Sequence, residues 1–247
     1  MKSKKINIKS KRKIPPAKDL LAESVRIYRK HWKPLLLVGL VIGQSLQLLF
    51  SSTDGLWGWL WFVITFAALV WLVQNLGSKK ATVKNAYYQG TAYFIKTALV
   101  SAWLLIMFLP AFVGQALLLV ISSPQMAATA IETTLAYLAW FLLLGLSLYL
   151  LIRNAFALII VNNPKEPPIS AIKKSLRITK SNTKALAWRL LPLGLIALIV
   201  SLFFLLLGYF LPLEETITNQ AATALTNGLV TPLAVIYLYK LNSSLNE

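Results

Sequence analysis

Long apolar runs alternate with short polar stretches along most of this chain. Six of the runs have about the length, near 20 residues, that a helix needs to cross hydrocarbon. They are Pro34–Phe50, Leu56–Leu76, Thr97–Ser122, Leu135–Val161, Leu190–Leu211 and Ala221–Tyr239. Spanning β-strands would show segments of about ten residues with alternating polarity, whereas these runs are continuous. The pattern predicts an all-α fold, a polytopic integral membrane bundle of six transmembrane helices. The fourth run has 27 residues, more than a core of roughly 30 Å requires at about 1.5 Å per residue. Its end beyond Arg153 is expected to project past the bilayer or to tilt. Residues 1–18 read as a disordered basic tail, and 19–247 as one membrane domain.

Charge orients these spans. The chain holds 25 Lys and Arg against 8 Asp and Glu, a net charge of +17. Twelve of the cations precede Pro34, four lie in Gly77–Lys96 and seven in Asn162–Arg189. Lys240 follows the sixth run, and Arg153 sits near the end of the fourth. The intervening loops Ser51–Gly55, Ser123–Thr134 and Pro212–Gln220 contain no Lys or Arg, only Asp54, Glu132, Glu214 and Glu215. Positive loops stay on the cytoplasmic side, so this alternation requires an even number of spans and places both termini in the cytoplasm. Trp57, Trp59 and Trp61 at the outer mouth of the second run, with Trp32 and Trp188 at inner boundaries, suit interfacial belts.

Two basic segments carry helical periodicity. In Leu21–Trp32 the apolar positions are Leu21, Val25, Tyr28 and Trp32, beside Arg26, Arg29 and Lys30. In Ile169–Lys184 they are Ile169, Ile172 and Leu176, beside Lys173, Arg177 and Lys180, with Lys174 further round. Both suit helices lying in the interface, apolar side down and cations among headgroups. Anionic membrane lipids are the expected partners, and a membrane-protein partner stays open. Generic topology determination and surface adhesion would leave the same pattern. Nucleic acid is not expected. The two segments also align without gaps, Ser24-Val-Arg-Ile to Ser175-Leu-Arg-Ile, and Thr82–Lys96 offers a degenerate third copy. The repeat unit would be one amphipathic helix followed by a transmembrane hairpin.

Candidate chemistry is sparse. There is no cysteine and one histidine, His31, so Cys-based and His-rich metal sites are excluded. No nucleophile elbow, zinc-protease helix or phosphate-binding loop motif is present, so neither a catalytic residue nor a cofactor is assigned. Arg153 is a cation near hydrocarbon, where such residues often mark function. Its expected partners are lipid phosphate, helix carbonyls or Asn154, and snorkelling to the interface is the plainer account. Gln44, Gln47, Gln74, Asn75 and Gln115 either line a polar path, as in a small transporter or channel, or hydrogen-bond between helices. Gly39-Leu-Val-Ile-Gly43 permits a close helix contact, within the bundle or in a dimer. Pro110 and Pro232 are expected to kink their spans for packing.

Some of these residues resemble a known family. Ala171-Ile-Lys-Lys-Ser-Leu-Arg-Ile-Thr-Lys-Ser-Asn182 before an apolar span is similar to a block in glycerophosphodiester phosphodiesterase membrane-domain proteins and their six-span bacterial relatives. Arg153-Asn-Ala-Phe-Ala-Leu-Ile-Ile160 and Leu20–Lys33 resemble that pattern as well. The resemblance implies a six-helix bundle with cytoplasmic amphipathic helices in a bacterial plasma membrane. It does not carry over the phosphodiesterase activity, which belongs to a separate catalytic barrel that needs about 250 residues of its own.

Overall fold

Hydrocarbon offers a backbone N–H or C=O no water, so an apolar run closes its hydrogen bonds within itself as a helix. The computed structural model describes residues 15–49, 54–78, 81–123, 129–180, 182–210 and 215–246, and every regular element among them is helical. In chain order these are α1 (Ala17–Lys30), α2 (Trp32–Leu49), α3 (Gly55–Gln74), α4 (Val83–Thr91), α5 (Phe94–Ile121), α6 (Ala130–Asn154), α7 (Ala157–Ile160), α8 (Pro168–Lys180), α9 (Thr183–Phe210) and α10 (Glu215–Asn246). Six candidate spans, on α2, α3, α5, α6 with α7, α9 and α10, are long and apolar enough to cross a membrane. The chain is an all-α polytopic bundle, as the apolar runs predict.

The element order repeats. A short polar helix turns through one or two residues into a span, which a second span follows: α1–α2–α3, α4–α5–α6, α8–α9–α10. Each short helix buries a small side chain seven residues before its elbow: Ser24 before His31, Ala86 before Tyr93, Ser175 before Asn182. These connections put α1, α4, α7 and α8 at one end of the bundle. With them come Arg153 and Lys240, and this is its basic end.

Several boundaries differ from the sequence reading. The fourth run does not continue as one rod. α6 stops at Asn154, and Phe156–Val161 turns into the protein, where Phe156, Ala157, Ile159, Ile160 and Val161 are buried. The run is thus interrupted by a break close to Arg153. α9 begins seven residues before Leu190, and α10 runs seven residues past Tyr239. Of the tail read as 1–18, residues 1–14 lie outside the described chain, and Ala17 and Lys18 already belong to α1. Glu214 also lies outside the described residues.

Packing separates the spans sharply. α3 is central, burying Val63 and the continuous stretch Thr65–Val70. α2 crosses α10 at the glycine pair: a Cβ on Gly39 would collide with the Gly228 carbonyl and the Pro232 ring, and one on Gly43 with the Ala224 carbonyl. The small-xxx-small motif therefore works inside the bundle, and Pro232 seats against it. Gly58 closes the α2–α3 hairpin against the Leu48–Leu49 backbone, and Gly90 brings α4 onto the α3 backbone at Ala68. α5, α6 and α9 instead present leucines and phenylalanines outward along their length, as lipid-facing helices do. At Pro110 the neighbouring Ala111 N–H donates to Ser147 Oγ of α6 at 3.0 Å, so a hydroxyl takes up a main-chain donor at the proline. Thr129 and Glu132 form a capping box that starts α6.

Candidate functional site

The cations at the basic end fall into three places. Lys173, Lys174 and Arg177 of α8 line an open groove of about 760 Å³, together with Leu99 of α5 and with Ile169 and Ile178 of α8. The groove exists because α8 is held to its neighbours by other faces. Ala171, Ser175 and Thr179 are buried at spacings of four and turn the lysine face away from the protein. The sequence reading did not single out this face. The face that packs is this small, hydroxyl-bearing stripe. Ile172 and Leu176 are half-buried on its flank, and Ile169 stays 67% exposed.

Two contacts shape the groove further. Lys174 Nζ lies 3.0 Å from Glu166 Oε1, and Ser170 Oγ donates to Glu166 Oε2 at 2.8 Å. The Lys174 hydrogen bond, then that of Ser170, holds the Glu166 carboxyl below its ordinary range. Lys96 Nζ donates to the carbonyls of Pro164 at 3.0 Å and Glu166 at 3.4 Å, tying the loop before α8 to the root of α5. One cation is thus already neutralised, and Lys173 and Arg177 are the exposed pair. Because the Glu166 pKa is depressed, the ion pair is complete at neutral pH and is lost only as acidification passes down through that lowered value. In that window, or with Glu166→Gln at neutral pH, Lys174 becomes unpaired. The groove then carries three free cations instead of two, so any anion it takes should bind a few-fold more tightly, measured by titrating an anionic ligand into the purified protein at each pH.

Arg153 does not enter this groove. It lies half-buried on the other flank of α8. Its Nη2 makes a long 3.4 Å bond to the Leu176 carbonyl and Nη1 a 3.4 Å bond to Tyr149 Oη, with the guanidinium 5.9 Å from the Tyr149 ring centroid. Nε is buried with no partner among the described residues. A helix carbonyl is its observed partner, and Asn154 is not. Asn154 Nδ2 donates to the Leu150 carbonyl at 2.9 Å, within its own helix. The more consequential atom of Arg153 is its main-chain carbonyl, which accepts from Ser175 Oγ at 3.1 Å and Thr179 Oγ1 at 3.0 Å. Ser175 Oγ also accepts from the Phe156 N–H at 3.3 Å. Two hydroxyls of α8 thereby serve the loose backbone groups at the α6 break. Sequence reasoning missed them, although Ser175 stood in the repeat alignment opposite Ser24.

Arg26, Arg29 and Lys30 are exposed on α1 and are not among the residues lining the groove. α1 does not rest on Leu21, Val25, Tyr28 and Trp32 alone: Leu20 and Ser24 are its buried residues, while Val25 is 37% and Trp32 49% exposed. Its partner is the far end of α10, through the Glu23–Lys240 ion pair at 2.6 Å. Arg189 adds a bond to the Pro15 carbonyl at 2.9 Å, and Tyr237 Oη donates to the Arg189 carbonyl at 2.7 Å. Lys30, His31 and Lys240 share a recess of about 290 Å³ with Gln74 and Tyr239. Lys180 is exposed on α8 outside the groove.

The intramembrane amides do not converge. Gln44 and Gln115 are exposed on α2 and α5, each within six residues of the end remote from the cations, and Gln47 is half-buried. Arg153 lies at the opposite end. Among the described residues no cluster of three His, Cys, Asp or Glu could hold a metal. Fold and site together define a polytopic helical membrane protein in which the cations among the described residues gather at one end of the bundle. No family model, no curated protein and no solved structure matches the chain.

Proposed function

We propose that this is a non-catalytic membrane protein that collects anionic lipid at its basic end, through the groove between α8 and the root of α5. The observation that carries this reading is the pairing of two chemistries in one open groove of about 760 Å³: Lys173 and Arg177, both uncommitted, line it together with Leu99, Ile169 and Ile178. A lipid has that same division, an anionic phosphate above hydrocarbon. On this reading the basic end faces the cytoplasm of a bacterium, with both termini there, because cations are retained on that side. α1, with Arg26, Arg29 and Lys30, adds a second basic face for the same leaflet or for a membrane partner. The residue blocks that resemble those of glycerophosphodiester phosphodiesterase membrane-domain proteins fit a lipid-organising role.

Anionic leaflets attract each nearby Lys or Arg by about 1 kcal/mol, and tenfold in affinity corresponds to about 1.4 kcal/mol. Lys173→Gln with Arg177→Gln should therefore weaken phosphatidylglycerol binding by about tenfold or more. The purified protein would be titrated with phosphatidylglycerol and, separately, phosphatidylcholine, and binding followed as salt is raised. Wild-type preference for the anionic lipid should shrink with salt as the charges are screened. Equal affinity for both lipids, or a double variant indistinguishable from wild type, would remove the basis of the proposal.

A further inference from the structure

The geometry points to a second, chemically different lipid site: a slot within the membrane-spanning part of the bundle that holds one hydrocarbon chain of a bilayer lipid. The slot has a volume of about 360 Å³ and lies between the α2–α3 hairpin and α5, with α6 and α7 behind. Leu46, Trp59 and Phe62 form one wall, Leu105 and Phe108 the other, and Leu151 closes the back. Unlike the basic groove, it is lined by no charged side chain. Its lining exposes no polar atom. The two polar groups in its wall are already spent on each other and on the backbone. Trp59 Nε1 donates to Ser101 Oγ at 3.2 Å, and Ser101 Oγ donates to the Ala98 carbonyl at 2.9 Å.

A hydrogen-bonding ligand or a water therefore finds no partner there, since a buried water needs two to four polar neighbours. An apolar occupant does, and at this depth the available apolar solvent is lipid chain. Length selects the same occupant. The slot reaches from Ser101 to Phe112, eleven residues of α5, or about 16 Å of helix. One leaflet contributes about half of the roughly 30 Å hydrocarbon core, so the slot matches the depth of a single chain. Phe108 and Phe112 are 39% and 46% exposed at its rim and leave a lateral entrance from the bilayer. Left empty, the walls would lose dispersion contacts with nothing to replace them. Recognition is by shape and depth, so the site takes a chain irrespective of the headgroup above it.

The test uses the full protein in nanodiscs containing phosphatidylcholine with a photoactivatable diazirine in mid-chain, with adducts mapped by peptide mass spectrometry. Adducts should concentrate several-fold on Trp59, Leu105, Phe108 and Leu151 over Leu198 and Leu202, which face lipid on α9. Leu105→Phe and Leu151→Phe, on different walls, should each abolish that excess and leave α9 labelling unchanged in monodisperse protein. The same excess should persist in Lys173→Gln with Arg177→Gln, which separates this site from the headgroup groove. Uniform labelling of the wild type would overturn the inference without any variant, because it describes annular lipid only. So would undiminished slot labelling in both filled variants, or protection of the lining by cross-links to a second copy of the chain.

Discussion

Gly39→Ala should destabilise this protein by about 1–3 kcal/mol, and Gly39→Leu by at least the upper end of that range. A helix interior normally gains from replacing glycine, by roughly 0.8–1 kcal/mol for alanine. Here the sign reverses, because α10 occupies the space. The new Cβ would lie against the Gly228 carbonyl and 2.7 Å from Pro232 Cγ. The carbonyl is backbone and the ring is stiff, so neither yields without moving α10. Between lipid-embedded helices there is little hydrophobic drive to restore the contact, since lipid tails are as apolar as the side chains. Close packing is most of what holds α2 to α10, and separating them forfeits it. Gly145 and Gly194 provide the control. A Cβ on either meets nothing within 4 Å, so Gly145→Ala and Gly194→Ala should be stabilising by up to roughly 0.8–1 kcal/mol. Unfolding in mixed detergent, followed by the tryptophan signal, measures all four variants. Equal stability of the Gly39 and Gly145 variants would mean that the α2–α10 contact does not support the bundle.

Much of the architecture was legible because lipid imposes it. Uninterrupted apolar runs fix the number of spans, and cation placement fixes which ends lie together. What each span faces was not legible, and the reason is physical. A core helix such as α3 and a lipid-facing helix such as α9 are both apolar on all sides, so no periodicity separates them. Gln44 and Gln115 illustrate the cost. Polar residues in spans suggested either a polar path or hydrogen bonds between helices, yet both are exposed. Trp59 is the converse: read with Trp57 and Trp61 as a belt residue, it turns inward to Ser101, while Trp57 and Trp61 stay 63% and 51% exposed. The site was half visible. Lys173, Lys174 and Arg177 stood out as a cationic helix face, and they share one groove. That Glu166 neutralises Lys174 and that Lys96 holds the loop depend on contacts across eight and about seventy residues, which no local pattern records.

The repeated serine offers the sharper test of how fold and repeat relate. Ser24 and Ser175 occupy the same repeat position, both are fully buried, and each has one hydroxyl to place. Ser24 Oγ donates to the Leu20 carbonyl at 2.7 Å, four residues back in its own helix. That carbonyl also has its helical partner, so the hydroxyl mostly satisfies itself. Ser175 spends its hydroxyl outside its helix, accepting from the Phe156 N–H and donating to the Arg153 carbonyl. Ser24→Ala should accordingly stay within about 0.5 kcal/mol of wild type. Ser175→Ala strands a buried main-chain donor at the α6 break, a loss of about 1–3 kcal/mol. Thr179→Val should add less, because its single hydroxyl proton is divided between the Arg153 carbonyl at 3.0 Å and the Ser175 carbonyl of its own helix at 2.9 Å. The damage should be local. Hydrogen exchange should accelerate at Phe156 and through α7, while amides at the α2–α10 contact keep their protection. Arg153→Gln should cost less than Ser175→Ala, because the side chain of Arg153 makes only long bonds whereas its carbonyl anchors α8. If the two serine variants were equally stable, or if Arg153→Gln proved the more damaging, the break would be held by the guanidinium instead.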